Sequence, residues 1–544
     1  MFEVAEAASG GTTLQVFTHT PPSLRTVWEL SALHGDAPYL VYDDDRWTFA
    51  EAHAVVGRVA RHLVAGLGVA KGDRVAIAMR NYPEWAFAMW ASTAVGAVVV
   101  PLNAWWTGPE LAYGLGHSGA TVLFADGERL ERLTPHLDET AVRTVVAVRT
   151  DAVPAGALRW EDFGVDGDGL PSVDIGPDDD CTIMYTSGTT GRPKGAVGTH
   201  RNITSHLMNA IYNAAQTAAA ATPSAAPAPP LSTLLTFPLF HVGGFHSFLL
   251  PYTAAGGKVV LMYKWDAARA LDLVEREQVT AIGGVPTTMF ELLDEARRQG
   301  RSMGTLANMG SGATLVPPAL VQRIDEQLAS QAAPGNGYGL TETSGAAVAN
   351  LGADYLTRPE SVGRPISPVM ELRIADPDGR PVATGEVGEI LIKGPTVIRG
   401  YYANPEATAA AISDGWFHTG DAGRLDADGF LYVVDRLNDM IIRGGENIYA
   451  AEVEAAIYEH PDVTEAAIIG VTHERLGEEV AAVVRLREGA SVDAEGIQAH
   501  VAARLAAFKV PTVVQIVHET LPRNAAGKVL KRELRKELAA SRVQ

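Results

Sequence analysis

Segments of helical and of strand-like hydrophobic periodicity alternate over residues 24–149. Stretches with helical spacing are followed by short apolar runs such as Val75–Ala78 and Ala120–Phe124, which predict strands. Thr48 and Glu51 are spaced as in a capping box and predict the start of a helix. Alternation at this spacing predicts a mostly parallel sheet covered by helices.

The same alternation returns in a second block at about residues 201–350. Thr233–Phe237 and Lys258–Met262 are predicted strands, and Ala267–Glu277 is a predicted helix. The tract Ala218–Pro230, made of Ala, Pro, Thr and Ser without periodicity, predicts a flexible surface insertion. The block therefore predicts a second α/β half.

After residue 350 the pattern changes to short strands separated by turns. Runs such as Gly388–Ile392, with hairpin-type Asp-Gly pairs between them, predict a small β-barrel-like unit at about 351–437. Residues 438–544 then show helix, two strands, helix, strand and a basic tail helix. We predict an α/β fold: a large N-terminal domain, 1–437, and a small α+β C-terminal domain, 438–544.

Composition excludes several classes of protein. A formal charge of −20 over 544 residues argues against a nucleic-acid partner or an anionic membrane surface. Cys181 is the only cysteine, which excludes an internal disulfide and fits a cytoplasmic protein. The apolar run Trp85–Asn103 contains Gly96 and Pro101, so we expect a buried helix and strand there rather than a membrane span.

A loop rich in glycine and hydroxyl groups, Tyr185–Gly195, follows the predicted strand that begins at Cys181. Its glycines let backbone N–H groups turn toward an anion, and its hydroxyls and Lys194 add donors and charge. It is not a Walker A loop, because Pro193 precedes the lysine and Gly195 follows it. Taken alone, the loop is either a phosphate cradle or a polar surface loop.

Further motifs distinguish these alternatives, because together with the loop they resemble those of the adenylate-forming superfamily, in its acyl-CoA synthetase branch. In chain order they are Gly337–Glu342, Gly385–Glu389 with Gly400–Tyr402, Gly415–Asp421, Asp435–Arg436 with Gly444–Ile448, and Asn524–Lys528. They cover nearly the whole chain. The resemblance implies ATP, Mg²⁺ and coenzyme A as cofactors and a mobile C-terminal domain.

In that superfamily a carboxylate attacks the α-phosphate of ATP, and positioned cations and donors stabilise the charge that accumulates. The resemblance implies that the loop holds the β- and γ-phosphates, that Glu342 holds Mg²⁺ and that Thr341 contacts the α-phosphate. The implied catalytic residues are Lys528, Thr341, Glu342 and Lys194. The implied ATP- and AMP-binding residues are Thr186, Ser187, Gly188, Thr189, Thr190, Gly191, Gly312, Ala313, Thr314, Gly337, Tyr338, Asp421, Val433 and Arg436.

Individual roles follow from the same resemblance. Tyr338 would stack on adenine, Asp421 would accept from the ribose hydroxyls, and Arg436 would touch the ribose. Lys528 would contact the attacking carboxylate and the α-phosphate. Each residue also has an ordinary interpretation: Glu342 as a first-turn helix acid, Asp421 as a turn residue and Lys528 as a solvated lysine.

The second half-reaction brings a thiol to the acyl-adenylate. The resemblance implies that the C-terminal domain rotates about Asn438, a position where the family usually has Asp or Lys. Asn tolerates unusual backbone angles and can serve as a hinge. The rotation would bring a coenzyme A-binding loop to the site, formed by Arg443, Gly444, Gly445 and Glu446.

The acyl pocket implied by the resemblance is formed by His241, Val242, Gly243, Phe245, Gly310 and Gly345. No aspartate or arginine lies between Thr236 and Ser247, which argues against an amino acid or a dicarboxylic acid as substrate. Small residues in these segments, including Gly283 and Gly284, suggest room for a bulky apolar acid, either fatty, aryl or polycyclic. The same residues also suit helix–sheet packing, and His241 also fits a satisfied core histidine.

The leading hypothesis is an acyl-CoA synthetase that forms an acyl-adenylate and then a thioester. One alternative loads the phosphopantetheine of an acyl carrier protein, and another performs a single half-reaction. A third, of a different class, is a non-catalytic protein that binds a nucleotide or acyl ligand. Luciferase-type oxidation also stays open, and a homodimer is compatible with the sequence.

Overall fold

The computed structural model describes residues 2–186, 192–220, 229–314, 316–328, 332–437, 439–444, 446–523 and 529–541. These fall into two compact units. The first comprises Met1–Pro359, Gly363–Leu372 and Ile392–Phe417, and the second comprises Glu360–Val362, Arg373–Leu391 and His418–Gln544. The predicted domain boundary after residue 437 stays a prediction.

The strands are, in chain order, β1 (Val4–Ser9), β2 (Thr12–Phe17), β3 (Pro38–Tyr42), β4 (Asp45–Thr48), β5 (Arg74–Ala78), β6 (Val98–Pro101), β7 (Val122–Asp126), β8 (Thr144–Val148), β9 (Leu158–Arg159), β10 (Asp180–Thr186), β11 (Lys194–Thr199), β12 (Ser232–Leu235), β13 (Lys258–Leu261), β14 (Ala281–Gly284), β15 (Asn308–Gly312), β16 (Ala333–Leu340), β17 (Gly345–Leu351), β18 (Arg364–Pro365), β19 (Glu371–Ala375), β20 (Gly388–Lys393), β21 (Gly400–Tyr401), β22 (Ile412–Ser413), β23 (Trp416–Leu425), β24 (Leu431–Arg436), β25 (Ile441–Arg443), β26 (Glu446–Ile448), β27 (Val463–His473), β28 (Gly477–Leu486) and β29 (Val513–Val517).

The helices are α1 (Leu24–Ser31), α2 (Phe49–Arg61), α3 (Pro83–Ala94), α4 (Gly108–Ser118), α5 (Gly127–Leu133), α6 (His200–Ala220), α7 (Val242–Gly244), α8 (Leu250–Ala254), α9 (Ala267–Arg276), α10 (Pro286–Gln299), α11 (Pro318–Gln327), α12 (Gly352–Thr357), α13 (Pro405–Ala411), α14 (Ala450–Tyr458), α15 (Ala494–Ala502) and α16 (Lys531–Ser541). The predicted capping box is present at the start of α2, where Thr48 and Glu51 exchange hydrogen bonds.

Two large sheets in the first unit confirm the predicted helix-covered, mostly parallel arrangement. One has the strand order β21-β11-β10-β6-β5-β7-β8-β9 and the other β18-β17-β16-β15-β14-β12-β13-β3-β4. In each sheet the central strands are parallel, whereas β10–β11 and β16–β17 are antiparallel hairpins at one end. Both hairpins carry predicted site residues.

Helix α3 lies in the interior of the first unit, and all twelve of its residues are buried. Its Trp90 stacks on Trp28 and donates a hydrogen bond of 2.9 Å to the hydroxyl of Tyr39 on β3. The helix therefore ties its own sheet to the second one. The prediction of a buried helix and strand between Trp85 and Asn103 is confirmed, and none of the described helices combines the length and apolarity needed to cross a bilayer.

The second unit contains a small α+β core. The sheet order is β26-β25-β28-β27, with β29 parallel to β28. Helices α14 and α15 cover one face through Val453 and Ile497, and Leu534 of α16 covers the other. A further sheet has the order β19-β20-β23-β22, with β24 paired to β23.

A buried ion pair at the end of β7 gives a first prediction. Asp126 caps α5, and its carboxylate accepts hydrogen bonds from Arg129 Nε and Nη2 at 2.6 and 2.8 Å. The Arg129 side chain is fully buried. We expect Arg129→Met to lower the free energy of unfolding by about 3–5 kcal/mol, because it leaves a buried carboxylate without its cation.

Urea unfolding measures this effect. The control is Arg298→Met, which removes the exposed i,i+3 partner of Glu295 and should leave the unfolding midpoint nearly unchanged. Equal destabilisation by both variants would contradict the assignment of Arg129 as a buried structural cation.

Candidate active site

A tight reversal between β16 and β17 presents Thr341 and Glu342. The Thr343 hydroxyl accepts from the N–H of Leu340 at 2.8 Å and lies 2.7 Å from the carbonyl of Gly345. Ser344 adopts the left-handed region with φ 54°. Thr343 and Ser344 are buried, so this conformation is held by its surroundings.

The segment that leads into β21 fixes the reversal from one side. Ser344 Oγ donates to the carbonyl of Thr396 at 2.8 Å, and the N–H of Ile398 donates to the carbonyl of Glu342 at 2.9 Å. Tyr401 Oη donates to Glu342 Oε1 at 2.8 Å. Burial and the adjacent Glu342 carboxylate raise the pKa of Tyr401, so the phenol keeps the proton that orients Glu342.

The predicted phosphate loop joins β10 to β11. Thr186 pairs directly with Lys194, which closes the base of the loop, and Lys194 Nζ lies 4.9 Å from the centroid of the Tyr401 ring. The structure therefore brings Lys194 and Glu342 to the same tyrosine. Ser187, Gly188, Thr189, Thr190 and Gly191 lie outside the described residues.

The predicted adenine-contacting residues lie at the carboxyl ends of two adjacent parallel strands. Gly312 of β15 pairs with Gly337 of β16, and Tyr338 follows on the same strand. Ala313 adopts a left-handed φ of 65°, and Thr314 is exposed beyond it. The carboxyl ends of parallel strands are the usual place for ligands in such sheets.

Glycines that suggested room for a bulky acid are instead in close contact with neighbouring atoms. A Cβ added to Gly244 would stand 2.2 Å from the Pro238 carbonyl, one on Gly283 would stand 2.4 Å from Phe248, and one on Gly345 would stand 2.6 Å from His206. Gly310, a predicted acyl-pocket residue, differs, because the nearest neighbours of an added Cβ would be 3.9 Å away. The space beside the other three glycines is thus occupied by neighbouring atoms, and room for a bulky acid stays a prediction.

The other predicted acyl-pocket residues lie on α7 and on the π-helical turn Phe245–Leu249. His241 Nδ1 accepts from the N–H of Gly243 at 3.2 Å, and Val242 is buried. Phe245 packs edge-to-face on Trp85 at a ring distance of 5.4 Å. Phe245, a predicted acyl-pocket residue, is therefore also part of the hydrophobic core.

Two further buried histidines, His206 and His246, adjoin this segment and were not predicted. Their ring centroids are 6.4 Å apart, and His246 Nδ1 lies 2.8 Å from the Ser344 carbonyl. Burial lowers the pKa of His206 to about 4 and that of His246 to about 3. They are separated by forty residues in the sequence and match no motif, so only the packing of α6 against the π turn reveals them.

In the second unit, the predicted ribose-contacting residues are paired on neighbouring strands. Asp421 of β23 lies opposite Arg436 of β24, and Arg436 Nε is 3.2 Å from Asp421 Oδ1. Asp421 is buried, Arg436 is about one-third exposed, and Val433 lies half-buried on β24.

The predicted coenzyme A-binding segment is the turn of the β25–β26 hairpin. Arg443 pairs with Glu446, and Gly444 between them has a left-handed φ of 61°. Gly445 lies outside the described residues, as does the predicted hinge Asn438.

Lys528 is likewise outside the described residues, but both flanks of its segment are anchored in the second unit. Arg523 Nη2 forms an ion pair with Glu465 at 2.7 Å, and the backbone of Arg523 forms an isolated antiparallel β-bridge with Val529. Lys531 Nζ forms an ion pair with Glu454 at 2.8 Å. Glu454 and Lys531 are both largely buried, which fixes where α16 begins.

The predicted metal ligand, the Glu342 carboxylate, suits a hard divalent cation whose other ligands come largely from a substrate. Among the described residues, no three His, Cys, Asp or Glu side chains converge on a common metal position. Mg²⁺ in nucleotide sites is characteristically held by one or two carboxylates together with phosphates and water. The oriented carboxylate of Glu342 fits such a site.

The buried histidines predict acid sensitivity of the first unit. Folded His206 titrates near 4, below its unfolded value of about 6.5. Between those pH values the unfolded state binds more protons than the folded state. The contribution of neutral His206 to the free energy of unfolding is therefore fully present above about pH 6.5 and is lost as the pH falls toward 4. We expect His206→Asn to reduce this acid-induced loss of unfolding free energy by about 2 kcal/mol.

Urea unfolding at several pH values between 7.5 and 4.5 measures the slope of the free energy of unfolding against pH. The same substitution at the exposed His19 is the control. An unchanged slope in His206→Asn would contradict the burial of a neutral imidazole at this position.

Comparisons with known proteins agree with this geometry. Residues 27–402 match the family model described as AMP-binding enzyme, and residues 452–528 match that of the AMP-binding enzyme C-terminal domain. The chain is 40% identical over 490 residues to a feruloyl-CoA synthase of Amycolatopsis sp, covering 90% of this chain and 93% of that one. It is 36% identical over 494 residues to an indoleacetate–CoA ligase of Aromatoleum aromaticum, covering 90% and 93%.

Among solved structures, the chain resembles the o-succinylbenzoate CoA synthetase MenE from Bacillus subtilis in complex with the acyl-adenylate intermediate OSB-AMP. The TM-score is 0.81 at 30% identity, and the match covers 94% of this chain and 98% of that one. The predicted superfamily and fold class are confirmed. The chain therefore belongs to the AMP-binding enzyme family and is an acid–thiol ligase of the AMP-forming type.

Proposed function

We propose that this enzyme activates a carboxylic acid with ATP to an acyl-adenylate and transfers the acyl group to the thiol of coenzyme A. The observation that carries the proposal is the convergence of Lys194 and Glu342 on Tyr401, beside the closed base of the phosphate loop. This arrangement supplies a cation and an oriented carboxylate where a polyphosphate and its metal ion need them. The named CoA ligases among its relatives support the same reaction.

In the adenylation step, the substrate carboxylate attacks the α-phosphorus and pyrophosphate leaves. We assign the loop Thr186–Lys194 to the β- and γ-phosphates, Thr341 to the α-phosphate and Glu342 to Mg²⁺, which neutralises phosphate charge when bound. Tyr338 contacts adenine beside Gly312, Ala313, Thr314 and Gly337. Asp421, Val433 and Arg436 contact the ribose side of the nucleotide.

Lys528 is assigned to the attacking carboxylate and the α-phosphate. The ion pairs at Glu465 and Glu454 anchor the described residues Arg523 and Lys531 on either side of its segment. We propose that residues 438–544 then turn about Asn438 and present the hairpin around Gly444 to the pantetheine arm of coenzyme A.

The substrate is proposed to be a bulky acid held between the His241–Phe245 segment and the strand that begins at Gly345. Aryl acids receive support from the two relatives named above. Carrier-protein loading is the alternative acceptor chemistry, because phosphopantetheine ends both acceptors. A homodimer and a cytoplasmic location stay predictions.

Product analysis tests the proposal. The enzyme is incubated with ATP, Mg²⁺, coenzyme A and a panel of fatty, aryl and polycyclic acids, and acyl-CoA and AMP are quantified by mass spectrometry. The proposal expects equimolar acyl-CoA and AMP with at least one acid. AMP formation that requires a phosphopantetheinylated carrier protein in place of coenzyme A would contradict the proposed acceptor.

The Tyr401–Glu342 hydrogen bond yields a prediction about metal affinity. We expect Tyr401→Phe to raise the Mg²⁺ concentration for half-maximal activity about 10-fold, because the metal-binding carboxylate loses the group that orients it. The activity at saturating Mg²⁺ should change less. The rate of AMP formation, measured against Mg²⁺ concentration, gives both values.

Tyr263→Phe is the matched control, because Tyr263 donates a hydrogen bond of 2.7 Å to another glutamate, Glu128. Neither Tyr263 nor Glu128 is a predicted site residue. The control should leave the Mg²⁺ dependence unchanged. An unchanged Mg²⁺ dependence in Tyr401→Phe would remove the support for Glu342 as the metal ligand.

Lys528 gives a prediction that separates the two half-reactions. We expect Lys528→Gln to slow adenylation about 100-fold or more, because it removes a cation from the accumulating charge. Transfer from a preformed acyl-adenylate to coenzyme A should be nearly normal. Lys536→Gln, on the exposed side of α16, is the control. Equal losses in both half-reactions would contradict a role confined to adenylation.

A further inference from the structure

Helix α4 contacts both flanks of the loop that the sequence predicts as a phosphate cradle. Tyr113 and His117 lie one helical turn apart and therefore on the same face of the helix. Tyr113 Oη donates to the carbonyl of Pro193, the residue before β11, at 3.2 Å. His117 Nδ1 lies 2.8 Å from the hydroxyl of Tyr185, near the end of β10. Neither helical residue belongs to a recognised motif.

The hydrogen bonds of Tyr185 determine which nitrogen of His117 carries the proton. Tyr185 Oη donates to the carbonyl of Gly114, also on α4, at 3.1 Å. Because a phenol has a single proton, the same oxygen accepts from His117 Nδ1, which therefore carries the proton. Burial lowers the pKa of His117 and so keeps its ring neutral at neutral pH. The first residue of the predicted loop is thus held to α4 by two hydrogen bonds.

The opposite flank of the loop carries a cation on an aromatic face. The guanidinium of Arg192 lies over the Tyr113 ring, 5.2 Å from its centroid. The His117 ring stacks on the same tyrosine at a centroid distance of 5.4 Å. A cation within about 6 Å of a ring centroid is attracted by the negative face of the ring. Tyr113 therefore contacts Arg192 through its ring and Pro193 through its hydroxyl.

Lys194, two residues further along, also lies over an aromatic ring. Its Nζ is 4.9 Å from the centroid of Tyr401. Within the described part of the chain, neither Arg192 nor Lys194 forms an ion pair with a carboxylate. An aromatic face attracts a cation without neutralising its charge, so both side chains keep a full positive charge for an anion. In a chain with a formal charge of −20, these two cations form a local positive site.

We propose that Tyr113 is a positioning residue for ATP: it holds Arg192 and Pro193 in place, so that Arg192 joins Lys194 in binding the β- and γ-phosphates. This inference rests on the proposed function and gives a role to two residues that the motifs leave without one. Because the segment is held before ATP arrives, less conformational freedom is lost when the nucleotide binds. Tyr113 itself contacts neither ATP nor the acyl group in this account.

Equilibrium binding of ATP and of AMP, measured by titration calorimetry with Mg²⁺ and without any carboxylic acid, tests the inference. AMP lacks the two phosphates assigned to Arg192, so it reports on the rest of the nucleotide site. We expect Tyr113→Leu, which removes ring and hydroxyl, to raise the Kd for ATP about 10-fold and to leave the Kd for AMP within about 2-fold. Tyr113→Phe keeps the ring and should raise the Kd for ATP only about 3-fold.

A second variant tests whether the ring acts through Arg192. We expect Arg192→Gln to raise the Kd for ATP about 10-fold, because it removes a charged contact to phosphate. In the Arg192→Gln background, Tyr113→Leu and Tyr113→Phe should give the same Kd for ATP, because the ring then has no cation to hold. Arg192 is exposed, so we expect this variant to fold. An undiminished difference between the two Tyr113 variants in that background overturns the assignment of Arg192.

Tyr458→Leu is the matched control, because the Tyr458 hydroxyl also donates to a backbone carbonyl, that of Ala466, at 3.4 Å in the second unit. It should change neither dissociation constant. Equal weakening of ATP and AMP binding by Tyr113→Leu overturns the inference, as does unchanged ATP binding by the folded variant. Failure of the proposed function is a separate result, in which no acid of the panel yields acyl-CoA whatever the two dissociation constants are.

Discussion

The reversal Thr341–Gly345 between β16 and β17 is the constraint on which the candidate active site depends. Its buried Thr343 hydroxyl closes the turn, and Ser344 holds a backbone conformation that a residue with a side chain seldom adopts. One side of the turn bonds the segment that leads to Tyr401, and the other bonds His246. Loss of this geometry would displace the proposed metal ligand Glu342 and the proposed acyl-pocket residue Gly345 together.

The same reversal explains two glycines that motif comparison alone leaves unexplained. A Cβ on Gly339 would stand 1.9 Å from the Gly345 carbonyl, and one on Gly345 would meet the His206 ring. Close approach of β16 to β17 therefore requires Gly339, and the His206 ring together with a φ of 126° requires Gly345. The glycines preserve the shape of the turn, and the space they leave is occupied by neighbouring atoms.

Much of the architecture could be predicted from the sequence, because hydrophobic periodicity and caps are local. The strands β5, β6 and β13, the capped start of α2 and the helix α9 lie within a few residues of their predicted positions. The motifs singled out Lys194, Glu342 and Asp421, and the structure has them at the start of β11, in the turn between β16 and β17, and within β23. Their roles in binding and catalysis stay predictions.

The remaining features depend on contacts between distant parts of the chain. Tyr401 belongs to a recognised motif, but its bond to Glu342 follows from the pairing of β21 with β11. No local sequence pattern marks His206 and His246, because the hydrogen-bonding state of their ring nitrogens depends on contacts with distant parts of the chain. Sequence periodicity reports neither pairing nor hydrogen-bond satisfaction.

The central claim is that this chain joins a carboxylic acid to AMP before any thiol is involved. Exchange of labelled pyrophosphate into ATP, measured in the absence of coenzyme A, tests it most directly. The account predicts exchange that requires both Mg²⁺ and the acid that the enzyme converts to acyl-CoA. Acyl-CoA formation from that acid, without exchange and without AMP, would contradict an adenylate intermediate.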